Sequence, residues 1–282
     1  MNNEESNNNA NSSDNYPKVL YKYANWDNDY HKKLITTPEI YFASPGDFND
    51  PYDSGVPARY DEWSGNDWRN FLCDNGYTAQ EINYTITNSI GHDRSDPQSI
   101  FNEIERDQNL HFLQNVGILS LSETKESILM WSHYANSHKG FCIGYDTKRI
   151  EPYVREHYKL ILQKNNLTLY IKIKYANQYP KIIPIPKPGD FSAYKKRLET
   201  KYADWQYEKE WRLTVNQNEQ LYERVIKIPI DSIVEIYLGL RMPHTHIANI
   251  IFELRRLNYE GKLYKAEQDK YSYQLKFNEI KL

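Results

Sequence analysis

Short apolar runs set between polar or Pro/Gly-rich segments dominate the start of the chain. Residues 19–23 and 40–43 read as strands, with a helical turn over 29–34 between them. Residues 44–53, SPGDFNDPYD, combine two prolines, a glycine and three aspartates. That composition breaks regular structure and orders itself through side-chain to backbone bonds, so it predicts a structured turn at a strand end. Residues 63–113 are polar and helical in pattern, with Thr78 capping one helix and Asp96-Pro97 opening another through Phe101 and Ile104. Residues 117–121 then read as a buried strand, 126–136 as a helix, and 140–145 as a strand with Phe141, Ile143 and Tyr145 on one side.

In the second half, Leu169, Ile171, Ile173 and Tyr175 alternate with polar residues as a half-buried strand, followed by the prolines 180, 184, 186 and 188, a stiff loop. A basic helix over 192–203 and strands over 207–215, 225–230 and 233–238 come next. Ile247, Ile250, Ile251, Leu254 and Leu257 have helical spacing, and Tyr271, Tyr273, Leu275 and Phe277 alternate as a strand. There is no internal repeat, no regular βαβ alternation and no GxGxxG or GxxxxGK[ST] loop. The pattern predicts an α+β fold with a mixed, mainly antiparallel sheet and flanking helices, in place of a Rossmann or P-loop fold. The expected organisation is a disordered polar tail over 1–16 and one domain over 17–282, with a helical insertion around 63–113.

Composition narrows the class. The 282 residues are 39% hydrophobic with 25 Tyr and 6 Trp, enough for a sizeable core and against disorder or coiled coil. Mean hydropathy is -0.83 and no apolar run approaches 18 residues, which argues against a membrane span. Cys73 and Cys142 lack ligand or framework spacing, and the start lacks a secretory pattern, so a reducing cytoplasm is the expected location. Residues 1–150 carry 12 Lys/Arg against 22 Asp/Glu, a charge of -10; residues 151–282 carry 23 against 16, or +7. The basic half either presents solvated lysines or holds an anionic ligand.

Three segments carry candidate chemistry. A strand over 207–213 would put Glu208, Glu210 and Arg212 on one face, and two carboxylates so placed repel unless a cation or ligand lies between them. They read as an exposed ladder or as a functional pair. In residues 130–140, Trp131 and Tyr134 suit the core, and His133 suits binding as well as packing. In Phe48-Asn49-Asp50-Pro51, Asp50 serves the turn, or Asn49 and Asp50 orient a ligand hydroxyl.

Taken together, Leu20-Tyr21-Lys22-Tyr23, Tyr41-Phe42-Ala43-Ser44-Pro45, Phe48-Asn49-Asp50-Pro51, Ile118-Leu119-Ser120-Leu121-Ser122, residues 129–140 with Phe141-Cys142-Ile143, and Tyr207-Glu208-Lys209-Glu210-Trp211-Arg212 resemble a bacterial family catalogued as domain of unknown function 2971. The match spans most of 18–240. More distantly the chain is similar to ADP-ribosyltransferases, which implies a split sheet, a basic or aromatic residue on the first strand and a glutamate on a later one. Glu208-Lys209-Glu210 matches the Glu-x-Glu pair of arginine-directed members, although the Ser-Thr-Ser motif and the His-Tyr-Glu trio in its usual strand positions are missing. The resemblance implies that NAD is the substrate and that no metal is needed. It further implies that Glu210 stabilises the developing ribosyl cation, Glu208 orients or deprotonates the acceptor, and Lys22 or Arg212 meets the pyrophosphate. Tyr23 or Trp131 would stack on the nicotinamide, with Tyr21, Ser44, Asn49, Asp50 and Tyr134 completing the NAD-binding set and His133 assisting catalysis. A protein or nucleic-acid acceptor, a neutralising partner protein and a role in bacterial defence or toxin biology would follow. Two other readings stand beside it: a non-catalytic nucleotide or nucleic-acid binding module using Lys195-Lys196-Arg197 and an aromatic groove, and metal-assisted hydrolysis by Asp50 and Glu210.

Overall fold

The computed structural model describes residues 16–56, 63–74, 76–89, 100–159, 169–181, 192–217 and 219–282. In chain order its elements are β1 (Val19–Ala24), α1 (Asp29–Thr36), β2 (Glu39–Tyr41), α2 (Gly65–Asp74), α3 (Ala79–Ser89), α4 (Ile100–Asn115), β3 (Val116–Ser122), α5 (Ile128–Tyr134), β4 (Phe141–Asp146), α6 (Thr147–His157), β5 (Tyr170–Lys172), β6 (Lys174–Ala176), α7 (Ser192–Glu199), β7 (Thr200–Tyr202), β8 (Glu210–Asn216), β9 (Val225–Lys227), β10 (Ile233–Leu238), α8 (His244–Arg256), β11 (Lys262–Gln268) and β12 (Leu275–Ile280). Eight strands form one sheet in the order β12-β11-β10-β4-β1-β3-β8-β5, antiparallel except at β10/β11, and two small ladders join β2 to β9 and β6 to β7. This is the α+β class read from the sequence.

Pairing is thinnest between β1 and β3, five strands lying on one side of that junction and three on the other. β1 pairs with β4 through all six of its residues but meets β3 at one register, Tyr21 opposite Ser122. β4 is buried along its whole length, as its near-continuous apolar run requires. Gly140 admits this strand because a Cβ there would lie 2.1 Å from the Ala24 carbonyl oxygen. One face of the sheet buries Leu20, Ile143, Leu213, Ile236 and residues of α1, α6 and α8 in the main core. A second cluster, Trp68, Phe71, Leu72, Ile82 and Val56, belongs to α2, α3 and the loop before them.

Several expected elements are shifted. The strand over 169–175 breaks at Ile173, whose N–H donates to the Glu210 carbonyl, so that β5 stays on β8 while β6 turns to β7. The helix expected to 203 ends at Glu199 and yields to β7. Tyr271 and Tyr273 lie in an exposed turn held by Asp269, and their alternation becomes a strand only from Leu275. α6, begun by the Asp146 side chain accepting from the Lys148 and Arg149 amides, and β11 were not expected. Tyr16, placed at the end of the polar tail, packs its ring at a tilt against Tyr170, with centroids 4.4 Å apart. The tail over 1–15, the Asp96-Pro97 helix start and the prolines 184, 186 and 188 lie outside the described residues. Among the described residues no helix is long and apolar enough to cross a membrane.

Candidate functional site

Strand β8 opens at Glu210, and its register with β3 sets Glu210 opposite Ser122 and Arg212 opposite Ser120 on one face. The strand alternation expected for Glu208 is corrected here. Lys209 is left-handed, at φ 45°, and residues 203–208 form a 3-10 turn, so Glu208 arrives from that turn and not from the strand. Lys201 of β7 unites the two carboxylates: its Nζ donates to Glu208 Oε2 at 2.6 Å and to Glu210 Oε2 at 3.1 Å, and lies 3.3 Å from Asp53 Oδ2. Of the two alternatives, the exposed ladder is excluded, because all three acids and both cations of the cluster are buried.

Arg212, with no exposed surface, closes the cluster. Its Nε donates to Glu210 Oε1 at 2.9 Å and its Nη2 to both Asp53 oxygens at 2.6 Å, while Nη1 donates to Ser54 Oγ and the Leu198 carbonyl at 3.0 Å. Tyr134 Oη donates to Glu208 Oε1 at 2.6 Å, and the Glu210 amide donates to Tyr175 Oη at 2.8 Å. Lys22 Nζ reaches the Ser120 carbonyl at 3.2 Å where β1 and β3 part. Three carboxylates thus contact two cations, and Lys22 supplies a third positive charge close by, the near-balance that buried ions require.

Ionisation within the pair is uneven. Burial alone would push both glutamates up. At Glu210 the Arg212 and Lys201 charges more than offset it and hold the carboxyl at about 2. At Glu208 burial outweighs Lys201, and repulsion from Glu210 adds to it, so its carboxyl titrates above the ordinary range. Burial also lowers Lys22, against the pull of Glu210 and Glu208. Burial, with the Glu208 charge, raises the Tyr134 hydroxyl.

Of the residues singled out in the sequence, the fold brings together Lys22, Tyr134, Glu208, Glu210 and Arg212. Tyr21 donates to Glu235 beside Lys125, and Tyr23 donates to the Thr124 carbonyl with its ring edge-on to Trp131 at 5.3 Å. Trp131 is fully buried and donates to the Lys125 carbonyl, so neither Tyr23 nor Trp131 offers the open ring expected for stacking. His133 is exposed, its ring 6.0 Å from that of Tyr207 and 6.4 Å from that of Tyr134. Ser44 caps the 3-10 turn Pro45–Asp47 and donates to the Leu113 carbonyl, Asn49 is exposed, and Asp50 accepts from the Tyr52 amide within its own turn. The loop delivers Asp53 to the cluster in place of Asp50, which removes the Asp50–Glu210 pair. Arg197 is buried against Phe112 and donates to Asn109, so Lys195-Lys196-Arg197 does not present one basic face. Asp53 had a visible signal as the third aspartate of SPGDFNDPYD. Lys201 had none, being one lysine among many in the basic half.

Residues 130–213 match the family model described as Protein of unknown function (DUF2971), which bears out the family resemblance over the stretch from α5 into β8. That stretch contains Tyr134, Lys201, Glu208, Glu210 and Arg212. Neither a curated protein nor a solved structure matches the chain.

Proposed function

We propose that the Glu208–Glu210 pair cleaves the bond between nicotinamide and ribose in NAD and passes the ADP-ribosyl group to an acceptor. The observation that supports this most is the burial of two carboxylates around one lysine beside the single-register junction of β1 and β3, with the two acids shifted in opposite directions. Environments that push paired acids apart assign them different roles. Glu210, ionised throughout the physiological range, stabilises positive charge on the ribose C1′ as the C1′–N bond breaks and nicotinamide leaves with the bonding electrons. Glu208, the more basic of the two, takes the acceptor's proton as the acceptor's lone pair forms the new bond to C1′. Lys22 and Arg212 supply the cationic surface for the pyrophosphate, a role that suits a guanidinium fork. The side of Glu208 that carries Tyr134, with exposed His133 and partly buried Tyr207 at its rim, is the acceptor side.

Release of nicotinamide from NAD by the purified protein tests the reading. The wild-type chain should release it, and Glu208→Gln and Glu210→Gln should each reduce the rate at least a hundredfold. Absence of release by the wild-type chain across protein, nucleic-acid and water acceptors would overturn the assignment.

A further inference from the structure

The cluster is closed as it stands. Side-chain exposure is 3% at Glu210, 0% at Arg212 and 7% at Lys201, so no ligand reaches the guanidinium unless a neighbour moves. β3, β7 and β8 are held in ladders. Residues 48–56 lie outside any ladder, yet they take three of the six hydrogen bonds that Arg212 donates, two by Asp53 and one by Ser54. The Phe48 ring lies 5.2 Å from the guanidinium carbon and covers it. Ser54 holds a left-handed φ of 60°, a strained conformation for a residue with a side chain. Tyr52, between these anchors, is 66% exposed.

We propose that this loop is a built-in plug: the Asp53 carboxylate occupies the seat on Arg212 that a phosphate oxyanion takes, and the pyrophosphate of an incoming dinucleotide displaces it. Asp53 takes both of its bonds from Nη2, and a phosphate oxygen accepts from the same nitrogen, so either anion satisfies that corner of Arg212. Charge permits the exchange. With Asp53 withdrawn, Glu208 and Glu210 face Lys201, Arg212 and nearby Lys22, an excess of one positive charge that a phosphate neutralises. The inference rests on the reading of Arg212 as a pyrophosphate ligand, and it adds that affinity is lowered by the fraction of molecules in which the loop is shut.

The test is calorimetric titration of wild-type and Asp53→Asn protein with inorganic pyrophosphate, alongside nicotinamide release from NAD. Asp53→Asn keeps the shape of the loop and weakens its hold, and it should bind pyrophosphate about tenfold more tightly and release nicotinamide faster. Tighter pyrophosphate binding without any nicotinamide release would keep the plug and overturn NAD cleavage. A folded Asp53→Asn protein that binds no more tightly than wild type would overturn the plug. Should Asp53→Asn fail to fold, Phe48→Leu loosens the loop with every ion pair intact; tighter pyrophosphate binding there supports the plug, and unchanged or weaker binding overturns it.

Discussion

Two glutamates two residues apart share one lysine yet sit on opposite sides of the ordinary carboxylate range, because Arg212 bonds Glu210 alone. The consequence for acid stability follows from the sign of each shift. Glu210, lowered from 4.5 to about 2, stabilises the fold above its unfolded value, and that contribution is lost as pH falls from about 4.5 to 2. Glu208, shifted up, acts oppositely: it favours the fold below its unfolded value, and the benefit is lost as pH rises through its folded pKa. Denaturant melts at pH 5 and pH 3 should show wild-type stability falling with acid, and Glu210→Gln should flatten that fall. Glu210→Gln should also lose about 3–5 kcal/mol at neutral pH, since it leaves Arg212 and Lys201 undercompensated in a buried site. Glu208 should respond to its hydroxyl partner: Tyr134→Phe removes a bond that holds the carboxylate ionised, so the acidic limb of any pH–rate profile, where the base gains its proton, should move to higher pH. An unmoved limb would show that Glu208 is not the base.

At the scale of elements, the apolar strands were legible because burial dictates their residues. Ile233–Leu238 lies where the pattern put it, and Val116–Ser122 and Phe141–Asp146 depart from it by a residue at each end. Where the reading failed, tertiary pairing overrode local alternation. The run through Tyr207 to Leu213 looks like one strand, but a left-handed Lys209 divides it, and no periodicity encodes that break. α6 was hidden because only Ile150 and Val154, one helical step apart, are buried apolar positions among charged neighbours. Glu208, Glu210 and Arg212, three of the five cluster residues, were visible. Asp53 and Lys201 come from positions 159 residues from Arg212 and 7 residues from Glu208, and only the fold brings them together. Gly140 makes a testable case of close packing: Gly140→Ala drives a methyl into the Ala24 carbonyl and should lower stability by about 2 kcal/mol or more in chemical denaturation, with loss of the α5–β4 turn.

On the scale of the whole molecule, the cluster of Trp68, Phe71, Leu72 and Ile82 shares no buried residue with the main core, so α2 and α3 should open independently of the sheet. Leu72→Ala should speed amide exchange across residues 65–89 and leave the β4 amides unchanged; equal acceleration of both would show one cooperative unit. The central position of β1 has a consequence for how the chain is made. Its full-length partner β4 and its single contact on β3 both lie about 100 residues or more downstream. At translation rates of about 5–20 residues per second, Val19–Ala24 waits roughly 6–24 s for β4 to be synthesised. During synthesis, the strand on which both halves of the sheet depend is an unclaimed apolar edge, open to whatever chaperone or neighbouring nascent chain reaches it first.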